Sequence, residues 1–222
     1  MRNHRQSWAL CAAAFACLVA TPASAHPHVW ATVRSEIVFG ADHRIIGIRH
    51  AWTFDEFYTA MAIQGLDTDG DGVYTTKELE PIAKVNAESL KEFDYFTFVH
   101  LSDDDKPLPL KEPVNYSAAY DNNLLTFNFT LPLAKPLDPK VHAVALDVYD
   151  PSFFVAFGFA ADAPVRMTGT PVPGCAAEIQ KPDPETEADA KALSEAFFSQ
   201  LGPNSNFGSQ FAQTAIVKCT TN

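Results

Sequence analysis

The sequence predicts an α+β protein: an antiparallel, sandwich-like β domain with an inserted helical hairpin and a C-terminal helix. Three observations support this class. Short segments rich in Val, Ile and aromatic residues alternate with turn-forming Asp, Asn and Gly, as in β-sheet proteins. Apolar residues change to helical spacing over 54–94. The chain of 222 residues is 47% hydrophobic and 19% charged, which is enough to bury one large core.

The first 25 residues are predicted to be a signal peptide. Arg2 and Arg5 form a basic start, an uninterrupted apolar run covers 8–20, and 23–25 is a small-x-small cleavage signal. The run is shorter than the roughly 20 residues that cross a bilayer, so we expect no membrane anchor. We therefore expect residues 26–222 to form a single periplasmic domain. A lipoprotein signal at Cys17 is the weaker alternative, because the apolar run continues past it.

The remaining elements are predicted in the following order. Strands are expected at 29–39, 44–52, 95–101, 114–120, 124–131, 141–149 and 153–159. Two helices at 54–66 and 76–94 are inserted between the second and third strands. A last helix is expected at 185–201, followed by a closing strand within 207–219.

Composition and cysteine usage exclude several classes of function. The 16 Lys and Arg against 27 Asp and Glu give a net charge of −11, which argues against nucleic acid as the partner. The absence of G-x-S-x-G, P-loop and G-x-G-x-x-G patterns gives no support to a hydrolase, an NTPase or a dinucleotide enzyme. No C-x-x-C pair exists, so zinc knuckles and thioredoxin-type motifs are excluded. After export, Cys175 and Cys219 are expected to form a structural disulfide.

The loop 67–78 has the spacing of an EF-hand calcium site. Gly72 stands where this loop needs a sharp turn, and predicted helices flank it on both sides. The inserted hairpin is therefore expected to be EF-hand-like, with a structural calcium ion. An acidic surface turn is the alternative. The calcium ligands would be the side chains of Asp67, Asp69, Asp71, Thr75 and Glu78 and the carbonyl of Val73.

Cleavage after Ala25 would create an N-terminus that begins His26-Pro27-His28. Its α-amine and two imidazoles would be nitrogen donors near neutral pH. Such donors suit zinc, and also nickel, cobalt or copper, rather than calcium. Pro27 has no amide hydrogen, which excludes the square-planar amino-terminal copper and nickel motif. We predict a transition-metal site at His26 and His28; a solvated terminus without metal is the alternative.

Five further residues are candidate ligands for the same transition metal. Each carries a nitrogen or oxygen donor at or near a predicted strand: His50, His100, His142, Asp147 and Asp150. Strand alternation puts Asp147 and Tyr149 on one face, where they could complete a mixed oxygen and nitrogen site. The competing interpretation for all of them is an ordinary structural role.

An ordered series of motifs resembles a bacterial periplasmic family of formally unknown function, often labelled the periplasmic component of an uncharacterised ABC-type transport system. The motifs are the segments 26–29, 52–58, 92–97, 129–133, 136–139, 148–151 and 174–175, together with the Asp/Gly loop. The resemblance implies a genetic association with permeases of the nickel/cobalt-exporter type and, for some members, a role in zinc acquisition. It also implies that His26 and His28 are functional, with the calcium-type loop secondary.

The expected function is that of a non-enzymatic periplasmic protein that binds a transition metal, zinc first, and serves an inner-membrane metal permease. Two rival functions stay open. One is a copper-dependent oxidase that uses the His26 amine and imidazole, which peroxide production after copper loading would reveal. The other is a module that binds an organic solute or a partner protein, with calcium purely structural. In that case replacing His26 and His28 would leave function intact.

Overall fold

The computed structural model describes residues 27–104, 106–183, 195–198, 200 and 205–220. The predicted signal peptide, His26 and most of the predicted helix 185–201 lie outside the described residues. Within the described residues, no helix is both long enough and apolar enough to cross a membrane.

The described part of the chain is mostly β-sheet. Its strands are β1 (Val29–Phe39), β2 (Ile45–Phe54), β3 (Thr97–Leu101), β4 (Val114–Asp121), β5 (Leu124–Leu137), β6 (Val144–Val148), β7 (Val155–Phe159), β8 (Val165–Gly169), β9 (Cys175–Gln180) and β10 (Thr214–Cys219). Its helices are α1 (Glu56–Ala62), α2 (Thr76–Ser89) and the short α3 (Glu195–Phe198), with 3₁₀ segments at Leu90–Phe96 and Phe207–Phe211. The predicted α+β class is therefore confirmed.

The first sheet has the strand order β4-β5-β2-β1-β7, and β8 also pairs with β1. Strands β1 and β2 form the predicted antiparallel hairpin, with Ser35 opposite His50. The expectation of a wholly antiparallel fold is wrong, because β7 and β8 both run parallel to β1. After β6 the chain crosses from the second sheet to the first, where it forms β7 beside the start of β1, with Val155 opposite Val29. A crossover of this kind produces parallel pairing.

The second sheet has the order β3-β6-β10-β9 and is antiparallel throughout. Cys175 and Cys219 face each other across β9 and β10 and form the disulfide, which confirms the predicted pair. The sequence patterns did not reveal β8 or β9. The predicted closing strand is also shorter than expected, because 207–211 is a 3₁₀ turn and only β10 joins the sheet.

One hydrophobic core includes the inward faces of both sheets and one face of α2. Trp52, Phe127 and Phe129 from the first sheet are fully buried, as are Leu146 from the second and Leu79 from α2. Along β1, buried residues alternate with exposed or half-buried ones, as the period of two in a strand requires. The sheets therefore pack through their apolar faces, and their polar faces point outward.

The helices of the inserted segment are shorter than predicted. Helix α1 ends at Ala62, and α2 ends at Ser89 instead of continuing to residue 94. After α2 the chain forms the 3₁₀ segment Leu90–Phe96, whose last three residues adopt positive φ angles of 50°, 58° and 49°. L-residues cannot continue a right-handed helix in that conformation.

Each inserted helix is attached to the first sheet. The Leu125 N–H of β5 donates to the Thr59 hydroxyl of α1 at 3.0 Å. Just before α2, the Tyr74 ring lies 4.7 Å from the Tyr120 ring of β4. The loop between the helices is thus held at both ends by the same sheet.

Candidate functional site

The acidic loop between α1 and α2 brings three carboxylates together. One oxygen from each of Asp67, Asp69 and Asp71 lies within 4.8 Å of the other two. Backbone donors shape the loop: the N–H groups of Gly70 and Gly72 donate to the two oxygens of Asp67 at 2.8 and 3.0 Å. Both glycines have positive φ angles, 75° and 79°, which favour residues without a Cβ.

Glu78, the last residue of the loop motif, is engaged elsewhere. Its two oxygens accept bonds from the N–H and hydroxyl groups of Thr68 and Thr75, at 2.8–3.0 Å. These bonds, led by the Thr75 and Thr68 backbone N–H groups, lower the pKa of Glu78 to about 2. Glu78 also closes the capping box of α2 with Thr75. The carboxylate is therefore ionised at neutral pH and already organises the loop.

The donors in this loop fit a hard cation. Three carboxylates supply only oxygen, which calcium and magnesium prefer over nitrogen or sulfur. Val73 and Thr75 follow in the positions where the motif expects a carbonyl and a further oxygen, but Thr75 serves as the N-cap of α2. The cluster of converging carboxylates contains three of the six predicted ligands, and Glu78 is not part of this cluster.

Of the two predicted transition-metal ligands at the N-terminus, His28 lies immediately before β1, and His26 lies outside the described residues. His28 is exposed, its N–H donates to the Phe154 carbonyl at 2.9 Å, and its ring lies 4.6 Å from the Phe154 ring. The Trp30 N–H next to it donates to Asp55 at 2.8 Å, which ties β1 to the beginning of α1. His28 is thus anchored at the surface through backbone bonds.

His50 lies in the core and not at a metal site. Its side chain is fully buried between the sheets, with Nδ1 2.9 Å from the Ser35 hydroxyl and Nε2 3.3 Å from the Thr97 hydroxyl. Burial lowers the pKa of His50 to about 3, so the ring is neutral. Both nitrogens are engaged, and a metal ion could reach them only if the core opened.

His100 and Asp147 are brought together, as neighbours on β3 and β6. The His100 Nε2 donates to Asp147 at 2.9 Å, and its Nδ1 donates to the Leu101 carbonyl at 3.0 Å. The Thr214 hydroxyl donates to the other Asp147 oxygen. Both ring nitrogens of His100 are therefore engaged. A metal ion would have to displace one of these bonds.

The last two candidate ligands stand apart from this pair. Asp150 is buried, and its oxygens accept from Ser152 and from the Val155 N–H, which shapes the crossover into β7. His142 is exposed, with Nδ1 3.9 Å from Asp103. Among the described candidates, only His100 and Asp147 are bonded to each other; the role of Asp150 is that of a turn residue.

Sequence reasoning missed a cavity of about 190 Å³ on the outer face of the first sheet. Arg34, Arg49 and Arg166 contribute to its lining from three different strands. The sequence analysis did not predict this cluster, because the three arginines are far apart in the sequence. Strand alternation alone predicts that Arg34 and Glu36 lie on one face of β1. That Arg166 joins them follows only from the pairing of β8 with β1, which the sequence did not predict.

The fold and the loop define a class: an α+β protein of two β-sheets with an acidic, cation-compatible loop between two inserted helices. The chain belongs to DUF1007, a family of proteins of unknown function, whose model matches residues 11–219. Membership defines the family of the chain and not its activity.

Two relatives show how far the likeness extends. An uncharacterized protein of Haemophilus influenzae strain Rd is 24% identical over 197 residues, which cover 88% of this chain and 91% of that protein. An uncharacterized 15.5 kDa protein in the trpE 3′ region of Spirochaeta aurantia is 34% identical over 104 residues, which cover 47% of this chain and 72% of that protein. The first relative spans nearly the whole fold.

Proposed function

We propose that this protein is an exported metal-binding accessory protein. It binds a transition metal, zinc before nickel, cobalt or copper, at the N-terminus created by signal-peptide cleavage, and it serves an inner-membrane metal permease. A calcium ion in the loop 67–78 stabilises the inserted helices. The calcium part of the proposal rests on one observation: the carboxylates of Asp67, Asp69 and Asp71 converge within 4.8 Å in a loop with EF-hand spacing.

The calcium part of the proposal requires a local exchange of partners. Glu78 now accepts bonds from Thr68 and Thr75, and as the twelfth loop residue it would turn one or both oxygens toward the ion. An ion bound here would offset the repulsion among the three aspartates. Because α1 and α2 are each attached to the first sheet, the ion would brace the loop between them and complete an EF-hand-like hairpin.

The transition-metal part rests on His28 and its surroundings. Its exposed ring lies at the first strand, and backbone bonds fix that position. Together with the imidazole and α-amine of His26, it would supply the nitrogen donors that zinc accepts. This site and the oxygen-rich loop would not compete for the same ion.

Calcium binding is tested by titration calorimetry and thermal unfolding of the processed protein after chelator treatment. We expect calcium to raise the unfolding midpoint, because it adds about 1.4 kcal/mol to the free energy of unfolding at tenfold excess over the dissociation constant. Asp69→Asn should weaken binding at least tenfold. Asp121→Asn is the matched control, because it makes the same charge change at another exposed position, the last residue of β4. An unchanged midpoint in the wild type would contradict the calcium site.

Transition-metal binding is tested on untagged protein that begins at His26. Elemental analysis and zinc titration should give one bound ion, lost in the double variant His26→Ala, His28→Ala. His43→Asn is the control: it is another exposed histidine, and asparagine tolerates its positive φ angle of 63°. If the native protein binds none of zinc, nickel, cobalt and copper at micromolar concentration, the proposed function is wrong.

A further inference from the structure

The cavity on the outer face of the first sheet has an arginine-rich lining. Arg34, Glu36, Arg49, Asn128 and Arg166 border it. Its volume of about 190 Å³ is below the roughly 300–1,000 Å³ of pockets for drug-sized ligands. The cavity therefore suits a small ligand.

The strand register explains why these side chains meet. Glu36 of β1 pairs with Arg49 of β2 on one side and with Arg166 of β8 on the other. These three residues form one row across the sheet.

In the neighbouring row, Arg34 of β1 pairs with Ala51 of β2, which pairs with Asn128 of β5. Ala51 has only a methyl group, so it leaves a depression between its longer neighbours. The cavity lies over this depression and includes Ala51 in its lining.

An excursion of the chain between β7 and β8 adds a further wall. Val33 of β1 pairs with Phe159 of β7, and Ser35 of β1 pairs with Val165 of β8. The residues between these two partners, 160–164, loop out of the sheet. Both ends of the excursion are bonded to β1: the Ala160 N–H donates to the Val33 carbonyl, and the Ser35 N–H donates to the Pro164 carbonyl, both at 2.9 Å. Ala163, which lines the cavity, has a positive φ of 43°. Strained residues of this kind cluster at ligand sites.

The charges in the cavity do not cancel. Arg49 pairs with Glu36 at 2.6 Å, and Arg34 pairs with Asp162 at 2.7 Å. Arg166 has no ion pair among the described residues. The cavity is thus locally cationic in a chain whose net charge is −11. Both existing pairs are partly exposed, so the two guanidinium groups are held only weakly.

We propose that this cavity binds a small oxyanion, the group shared by inorganic phosphate and by short carboxylic acids. Arg166 and Arg49 are the ligands, because a planar guanidinium donates two parallel bonds to such a group. The Asn128 amide is a further donor, and Glu36 limits the affinity by holding Arg49. This site does not depend on the proposed metal sites.

The test is titration calorimetry of the processed protein with inorganic phosphate and, separately, with succinate at low salt. We expect millimolar or tighter binding of one of them, weakened at least tenfold by Arg166→Gln and by added salt. Arg44→Gln is the matched control, because Arg44 lies in the β1–β2 turn outside the cavity and is also exposed.

A second variant protects the test from a folding artefact. Glu36→Gln removes the competing carboxylate, and we expect it to tighten binding at least threefold, which a misfolded protein cannot do. Binding of phosphate alone or of succinate alone identifies the type of oxyanion and supports the site. No binding of either anion, or equal binding by the wild type and Arg166→Gln, overturns the proposal whatever the outcome of the metal titrations.

Discussion

His50 of β2 and Thr97 of β3 lie 3.3 Å apart and join the two sheets inside the core. The Thr97 hydroxyl donates to the Tyr95 carbonyl at 2.9 Å, so its oxygen accepts from His50 Nε2. Nδ1 of His50 then accepts from the Ser35 hydroxyl. This chain of bonds satisfies a neutral imidazole with its proton on Nε2.

The buried His50 should make the protein sensitive to acid. Burial lowers its pKa from the ordinary 6.5 to about 3, so between these values the unfolded state binds a proton that the folded state excludes. Stability is therefore complete above pH 6.5 and is lost as the pH falls toward 3. We expect this residue to account for a loss of roughly 3 kcal/mol by pH 4.

Urea unfolding at pH 7 and at pH 4 measures this loss. His50→Gln should be less stable than the wild type at pH 7 but should lose much less stability between the two pH values. An identical loss in both proteins would show that the acid sensitivity comes from other groups.

Glu78 should titrate well below ordinary glutamates. Its pKa is lowered to about 2, chiefly by the Thr75 and Thr68 backbone N–H groups. The contribution of this carboxylate to the loop is present above about pH 4.5, the ordinary glutamate value, and is lost as the pH falls through 2. Carboxyl NMR should detect a midpoint near 2. Thr68→Ala removes one hydroxyl donor and should raise that midpoint; an unshifted glutamate in the wild type would contradict the bonding described here.

The disulfide between Cys175 and Cys219 should contribute substantially to stability. It closes a loop with a sequence separation of 44 residues, for which the chain-entropy model gives about 4 kcal/mol as an upper-end value. We expect the double variant Cys175→Ser, Cys219→Ser to unfold at lower urea concentration. Reductant should destabilise the wild type by a similar amount and leave the double variant unchanged. Equal stability of the oxidised wild type and the variant would contradict this role.

Gly208 should not tolerate alanine. An added Cβ would lie 1.8 Å from the Asp150 carbonyl oxygen, in backbone that cannot move aside cheaply, and the Gly208 N–H donates to the Pro151 carbonyl at 2.9 Å. We expect Gly208→Ala to cost about 3 kcal/mol in the free energy of unfolding. Gly158→Ala is the matched control, since nothing lies within 4 Å of its added Cβ. Equal effects of the two substitutions would exclude the proposed clash.

Local patterns in the sequence predicted several features correctly. The alternation of apolar residues predicted β1 and its hairpin with β2, and helical spacing predicted helices at the start of the inserted segment. The facing cysteines were expected from the predicted signal peptide and the cysteine count. The spacing of Asp67, Asp69 and Asp71 predicted that their carboxylates would converge, as they do. All of these depend on neighbouring residues or on covalent chemistry.

Other features depended on contacts between distant strands. The parallel pairing of β7 and β8 with β1 brought Arg166 beside Glu36, and the pairing of β3 with β6 joined His100 to Asp147. The packing of the two sheets made His50 a buried link between them.

The sequence alone therefore determined the α+β class, the hairpin, the loop chemistry and the cysteine pair, because period, turn chemistry and ligand spacing act within a few residues. Only the tertiary structure decided which histidines are buried, which charges meet and where the cavity lies. The reason is physical: strand partners are selected by the burial of whole apolar faces, and this selection places residues more than a hundred positions apart side by side.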